Sequence, residues 1–355
     1  MRILIISADR TNAQGLAVNL GDAFLTDVLA QSLEQEGNEV IVADFGEVRD
    51  PLGRVQRASL GGLRGLWSIT RAVDAIIVGG GTLFNDDIPK GFRGLPRLCL
   101  AASVVGWLTG RPVVFFGVGV ESAARKTIQL AYRAAMWRRP VWTRDQTSAE
   151  RCISLGSALF VAVAGDVCLA YPDGVLPTEA RHRRGVVLAL NHPDAAKLQA
   201  GTVESLHQRW SKVTFLSTGQ GVESDADRLP APVRTLFDSV VRDTTWERAF
   251  DTIGTADAVI CSRMHAGYMA MLAGVAITSV NTRPKMNVFS EEFGIDSVGS
   301  IADVAASDPR VADEDSLSRA RAQLMRELKA VDCYLRKKAR GELLRSHRGS
   351  GRGPL

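Results

Sequence analysis

Residues 1–43, MRILIISADRTNAQGLAVNLGDAFLTDVLAQSLEQEGNEVIVA, carry the pattern that decides the fold class. Residues 3–6 are a short apolar run rich in β-branched side chains, the signature of a buried strand. Residues 22–36 place Phe24, Leu25, Val28, Leu29 and Leu33 at helical spacing, and Gly37 ends the segment as a C-cap. Residues 40–43 are a second strand. Strand, helix and strand in so short a stretch imply a parallel crossover, so the chain is α/β.

Outward from this unit the alternation repeats. Strands are predicted at 74–78, 113–116, 141–143 and 159–163, with helices at 96–108, 128–138 and 147–155. The stretch PDGVLPTEARHRR, between Tyr171 and Gly185, has two prolines and a basic cluster and reads as a linker. Beyond it come strand 186–190, a helix near 203–210, strand 213–216, helical segments near 233–241 and 246–253, strand 258–261, a helix to 273 and strand 275–280. Residues 317–337 form a long amphipathic helix with Ala320, Leu324, Leu328, Val331 and Leu335 on one stripe. The predicted architecture is two Rossmann-like domains facing a cleft. The N-terminal domain spans 1–172 and the linker 173–185. The C-terminal domain spans 186–312, followed by a helix at 313–338 and a flexible basic tail at 339–355.

Composition narrows the function. A chain of 355 residues with 46% hydrophobic and 23% charged residues can bury two ordinary cores, which excludes disorder for its body. The net charge of +4 is concentrated in the last twenty residues, which argues against a nucleic-acid groove. Five dispersed cysteines with no CxxC pair fit neither a disulfide framework nor a zinc site, and no other ligand cluster suggests a metal. The apolar stretches 98–108 and 266–280 are short of the ~20 residues of a spanning helix. Residues 3–6 are too short for an export signal, so the expected address is the cytoplasm.

In open α/β sheets, ligands bind beyond the carboxyl ends of the strands. Those ends carry Asn19-Leu20-Gly21-Asp22, Gly79-Gly80-Gly81, Gly117-Val118-Gly119, Arg144-Asp145, Gly165-Asp166, Ser262-Arg263-Met264-His265 and Arg283-Pro284-Lys285. The triple glycine admits either a close-lying substrate or a tight strand-to-helix turn. Gly117-Val118-Gly119 lacks the third glycine of a dinucleotide loop, where Ser122 stands, and no P-loop occurs. Asp22 and Asp145 each stand where an N-cap would, a role that competes with function. Arg144 precedes a helix start, where an anion meets both a guanidinium and free amides; a pair with a nearby carboxylate is its other reading. With Ser262 as a cap, His265 falls in the first turn of its helix, where the dipole disfavours imidazolium and suits the ring to proton transfer near neutrality. Arg144, Arg263, Lys285 and His265 together suit a small anion carrying a phosphate and a carboxylate.

These residues resemble the polysaccharide pyruvyl transferase family. The matching stretches are NLGDAFLTDVL, DAIIVGGGTLFNDD, VWTRDQTSAERCISLG with the later Gly165-Asp166, and CSRMHAGYMAMLAGVAITSVNTRPKMNVF. They stand in the family's order and cover most of residues 1–295. The resemblance implies a glycosyltransferase-B-like fold and transfer of pyruvate from phosphoenolpyruvate onto two hydroxyls of a glycan sugar. The product is a cyclic ketal, made in cell-surface or extracellular polysaccharide biosynthesis. It also implies that Arg144, Arg263 and Lys285 hold the donor, with His265 as acid/base and no cofactor beyond the donor. Two positions depart from the family pattern, Ala276 for a usual proline and Arg283 for an acidic or neutral residue. Two rival readings stay open. One is a nucleotide-sugar glycosyltransferase with Glu223 or Asp225 on the donor ribose; the other is a catalytically silent glycan-binding relative. The basic tail reads either as solvated chain or as a contact with an anionic inner membrane face, where lipid-linked acceptors are assembled.

Overall fold

The computed structural model describes residues 1–44, 55–84, 94–121, 125–172 and 183–341. Most of the predicted linker (173–182) and the tail from 342 onward lie outside the described residues. The chain forms two compact units. The first comprises Met1–Asp9, Leu25–Ala170 and the chain from Arg321; the second comprises Arg10–Phe24 and Tyr171–Ala320.

The first unit is built from β1 (Arg2–Ile6), α1 (Leu20–Gln35), β2 (Glu39–Asp44), β3 (Gln56–Ser59), α2 (Leu63–Arg71), β4 (Ala75–Phe84), α3 (Leu95–Leu108), β5 (Val113–Val120), α4 (Lys126–Met136), β6 (Pro140–Thr143), α5 (Gln146–Leu155) and β7 (Phe160–Val163). The first five residues of α1 count with the second unit. Seven parallel strands lie in the order β3-β2-β1-β4-β5-β6-β7. Ile3, Leu4, Ile5 and Ile6 are wholly buried because helices cover both faces of a parallel sheet, which is why their run is continuous rather than alternating. The chain reverses its winding at β1 and β4, so the switch point lies between them.

The triple glycine is no strand-to-helix turn. β4 runs through it to Phe84, pairing Gly79 with Phe116 and Gly81 with Val118. A Cβ on Gly79 would stand 2.2 Å from the Phe116 carbonyl oxygen, so glycine lets the two strands close. Gly80 and Gly81 adopt φ of 78° and 92°, a region costly for other residues.

The second unit contains β8 (Val186–Ala189), α6 (His192–Lys197), α7 (Ala200–Arg209), β9 (Val213–Leu216), α8 (Ala231–Arg234), β10 (Ser239–Val241), α9 (Trp246–Gly254), β11 (Ala258–Cys261), α10 (Met264–Leu272), β12 (Ala276–Val280), α11 (Pro284–Phe293) and β13 (Asp296–Val298). Its six strands are parallel in the order β10-β9-β8-β11-β12-β13, with the switch point between β8 and β11. The helix predicted near 233–241 is corrected. Only Ala231–Arg234 is helical there, and Ser239–Val241 pairs with β9 as an edge strand. The cause is Val240 and Val241, whose β-branched side chains fit a pleated surface better than a helix.

The predicted C-terminal helix is α12 (Glu314–Ala339), which buries Leu324, Leu328, Val331 and Leu335. Among the described residues no helix is long and apolar enough to cross a membrane.

Candidate active site

His265 is the second residue of α10, reached from β11 through Ser262 and Arg263. The hydroxyl of Ser262 does not cap this helix. It accepts the Asn191 amide at 3.0 Å, tying together the loops that leave β11 and β8, and the cap position falls to Arg263, whose side chain does not cap. His265 therefore stands at the switch point of the second sheet, where such folds leave a crevice.

Its imidazole is seated by a distant stretch of chain. An antiparallel bridge joins Asn19 to Gly219, with Leu20 donating to the Thr218 carbonyl and Gln220 to that of Val18, each at 2.9 Å. Asn19 then caps α1: its side chain accepts the Gly21 amide at 2.9 Å and its carbonyl the Ala23 amide at 3.1 Å. The Phe24 ring packs at 5.0 Å from Trp246 and 5.6 Å from Tyr171, fixing the first turn of α1 to this unit. Gly21 is consequently pressed against His265. A Cβ there would stand 2.1 Å from Nδ1 and 2.6 Å from Cγ of the ring. The glycine of NLGD is absent side chain kept for an imidazole. Asp22, third in the helix, lies in the first turn and leaves the capping to Asn19.

Arg263 pairs through Nη2 with Asp225 Oδ1. Asp225 is fully buried, and its Oδ2 accepts the amides of Thr218 (3.1 Å) and Gly219 (2.9 Å) and the Thr218 hydroxyl (3.2 Å). One carboxylate thus holds Arg263 and also the loop that positions Asn19 and Gly21. Arg263 Nε is buried without a hydrogen-bond partner among the described residues, a polar atom left over at the site. A second imidazole, His192, opens α6 with Nε2 at 3.3 Å from Asp225 Oδ1 and 2.6 Å from the Glu223 carbonyl oxygen. Lys285 is the second residue of α11, just as His265 is of α10, and both are half-buried. Because β11 and β12 are parallel neighbours, the two helix starts adjoin on one sheet edge.

Arg144 and Gly79–Gly81 belong to the first unit. Arg144 is buried, with Nε at 3.2 Å from Asp145 and 3.9 Å from Asp166, so its carboxylate-pair reading is realised. Asp145 is also the N-cap of α5, accepting the Ser148 amide at 2.7 Å. Burial pushes the Asp166 carboxyl up from its ordinary range, and the Arg144 guanidinium opposes that shift. The glycines of Gly117-Val118-Gly119 serve the protein itself. Cβ atoms there would stand 2.4 Å from Val167 Cγ2 and 2.9 Å from Arg144 Nη2.

The sequence reading missed Asp225 as the anchor of Arg263 and His192 as a member of the site, and it placed Gly21 on the ligand side without its role as the seat of His265. A buried polar loop rich in Ser and Thr before the acid was the available signal for the first. Nothing local points from Gly21 to His265, because they stand 244 positions apart in the chain.

Two doubly wound α/β units of this kind define a glycosyltransferase-B-like protein, and similar solved structures carry that fold. UDP-GlcNAc 2-epimerase from Methanocaldococcus jannaschii superposes with a TM-score of 0.54 at 10% identity, covering 90% of this chain and 91% of its own. Anabaena Alr3699/HepE, in complex with UDP and glucose, gives 0.57 at 12% identity over 98% and 100%. The Neisseria meningitidis UDP-GlcNAc 2-epimerase bound to UDP-GlcNAc gives 0.54 at 10% over 96% and 94%. At such identities the likeness is one of fold. No curated protein matches the sequence significantly. The family model described as polysaccharide pyruvyl transferase matches residues 19–283, from the asparagine that caps α1 to the cap of α11. The chain belongs to the polysaccharide pyruvyl transferase family.

Proposed function

We propose that this transferase moves pyruvate from phosphoenolpyruvate onto two hydroxyls of a glycan sugar, closing a cyclic ketal and releasing phosphate. The observation that carries the reading is the half-buried imidazole of His265, seated on Gly21 beside a guanidinium held by a buried carboxylate. Such a pair moves one proton next to a bound polyanion. In the proposed sequence, His265 delivers a proton to the methylene carbon of the donor. The electron pair of the double bond forms the new C–H bond and leaves C2 cationic. One sugar hydroxyl attacks C2 and gives up its proton. The C–O bond to phosphate then breaks, and the second hydroxyl adds to C2 and loses its own proton. One released proton replaces that given by His265, and the other leaves with phosphate. Arg263 and Lys285 bind the donor's phosphate and carboxylate, and the reading assigns Arg144 the same kind of role. The place of action is cell-surface or extracellular polysaccharide biosynthesis, from the cytoplasmic side, with a glycan acceptor that is free or lipid-linked.

The same fold serves enzymes of UDP-sugars, so fold alone does not separate this reading from a nucleotide-sugar glycosyltransferase. Of the two acids that could hold the ribose in that rival, Asp225 is fully buried and committed to Arg263, which leaves the exposed Glu223. The test is phosphate release from phosphoenolpyruvate with candidate glycans, and a mass gain on the glycan equal to pyruvic acid less water. His265→Ala is expected to lower turnover by about 10²–10⁴-fold with the fold retained. Stabilisation by UDP-sugars and none by phosphoenolpyruvate would establish the glycosyltransferase instead. Binding of glycan with no turnover of either donor would mark a silent relative.

A further inference from the structure

Helices α2, α3 and α4 form a layer on one face of the first sheet, with α3 packed against both neighbours. Ser103 on α3 donates to the Ala135 carbonyl of α4 at 2.7 Å, and Arg111 beyond α3 donates to the Arg71 carbonyl of α2 at 3.2 Å. Each helix joins parallel strands, so all three run in one direction and end at the amino edge of the sheet, away from the carboxyl edge where ligands bind.

The outer face of this layer has an unusual composition. Trp107 is 69% exposed, Trp137 61% and Trp67 40%, and they are the three exposed tryptophans of the protein. Leu63, Leu108 and Leu130 are each at least half exposed beside them. Not one Asp or Glu occurs in the three helices, LRGLWSITR, LPRLCLAASVVGWL and KTIQLAYRAAM. Exposed cations stand among the apolar residues instead: Arg64, Arg71, Lys126 and Arg133, with Arg138 stacked over Trp137 at 5.2 Å. The nearest described acids in the chain are Asp74, whose carboxylate accepts the Arg2 amide, and Glu121, beyond the opposite end of β5.

Helix stability does not account for this. Cations in the last turn, such as Arg71 and Arg133, complement the dipole, but none of the three first turns carries an acid, and Lys126 opens α4 where a cation is unfavourable. Tryptophan and leucine interleaved with arginine, free of carboxylates, match the interface of a bilayer whose surface is negative.

We propose that the outer face of α2, α3 and α4 docks the protein on an anionic lipid bilayer. The tryptophans enter the headgroup region and the arginines meet lipid phosphates. The docking is independent of the donor chemistry proposed above.

The test is co-sedimentation of the full chain with vesicles of phosphatidylglycerol and phosphatidylcholine in equal parts, against phosphatidylcholine alone. Binding is expected to the mixed vesicles and to weaken with added salt. Neutralising three charges (Arg71→Gln, Arg133→Gln, Arg138→Gln) is expected to cut the partition coefficient roughly a hundredfold, from about fivefold per basic residue. Brominated lipid is expected to quench tryptophan fluorescence of the wild type, and Trp107→Ala with Trp137→Ala to remove most of that quenching. A chain ending at residue 341 is expected to bind as the full chain does. Melting curves check that these exposed substitutions leave the fold intact. Unchanged partitioning of the face variants, loss of binding on tail removal alone, or equal binding to neutral vesicles would overturn the proposal. So would vesicle-independent dimerisation or nucleic-acid binding that the face variants abolish.

Discussion

At the carboxyl edge of the second sheet, Arg263 meets a buried carboxylate that three further donors from residues 218 and 219 already satisfy. At the corresponding edge of the first sheet, Arg144 lies between Asp145, occupied in capping α5, and Asp166, whose affinity for a proton burial has raised. The glycines differ in the same sense. Gly21 yields its space to a titratable side chain, whereas Gly79 yields its space to a neighbouring backbone carbonyl. One edge uses its missing side chain to seat chemistry, and the other uses it to bring two strands together. A glycine-rich signature therefore has a different meaning at each edge, and the contact partner decides which.

Three experiments bear on that contrast. The largest effect is expected for Gly21→Ala. A methyl 2.1 Å from Nδ1 must displace the imidazole, so activity per folded molecule should fall by about 10²–10⁴-fold, as for loss of the acid itself. Full activity in steady-state assays would show that the ring works from another position. Gly79→Ala should behave conversely. The Phe116 carbonyl it meets is backbone and cannot rotate away, so overpacking of about 1–3 kcal/mol is expected in denaturant titrations, with turnover per folded molecule retained. If activity fell without loss of stability, the first edge would be acting on substrate through this glycine.

The smallest effect concerns Asp166. Its folded pKa is raised above the ordinary 3.8, so its stabilising contribution is complete at low pH and is lost as pH rises through the folded value. Asp166→Asn does not titrate. Its stability relative to wild type should therefore improve as pH rises above about 4, by at most about 1.4 kcal/mol per pH unit. A difference that stays flat from pH 4 to 8 would mean that Arg144 fully offsets the burial.

Much of this was legible in the chain. The apolar runs at residues 3–6, 113–116 and 258–261 read as buried strands because a parallel sheet hides both faces, and the stripe of Leu324, Leu328, Val331 and Leu335 marked α12. Errors arose where local pattern was weak or competing. Residues 233–241 combine a short helix and an edge strand in one apolar stretch, and the triple glycine stayed open between a substrate contact and a turn because its strand pairing depends on β5. Ser262 looked like a helix cap because hydroxyls favour that place, but the loop after β8 claimed it.

What the sequence by itself determined is the α/β class, the family and the residue types available for chemistry, since these rest on periodicity and ordered motifs within short spans. Only the tertiary structure decided that Gly21 is reserved for His265, that Asp225 grips Arg263, and that three carboxylate-free helices share one face. Each of those depends on chain segments far apart in number meeting in space, and the winding of a parallel sheet, rather than any local preference, sets which segments meet.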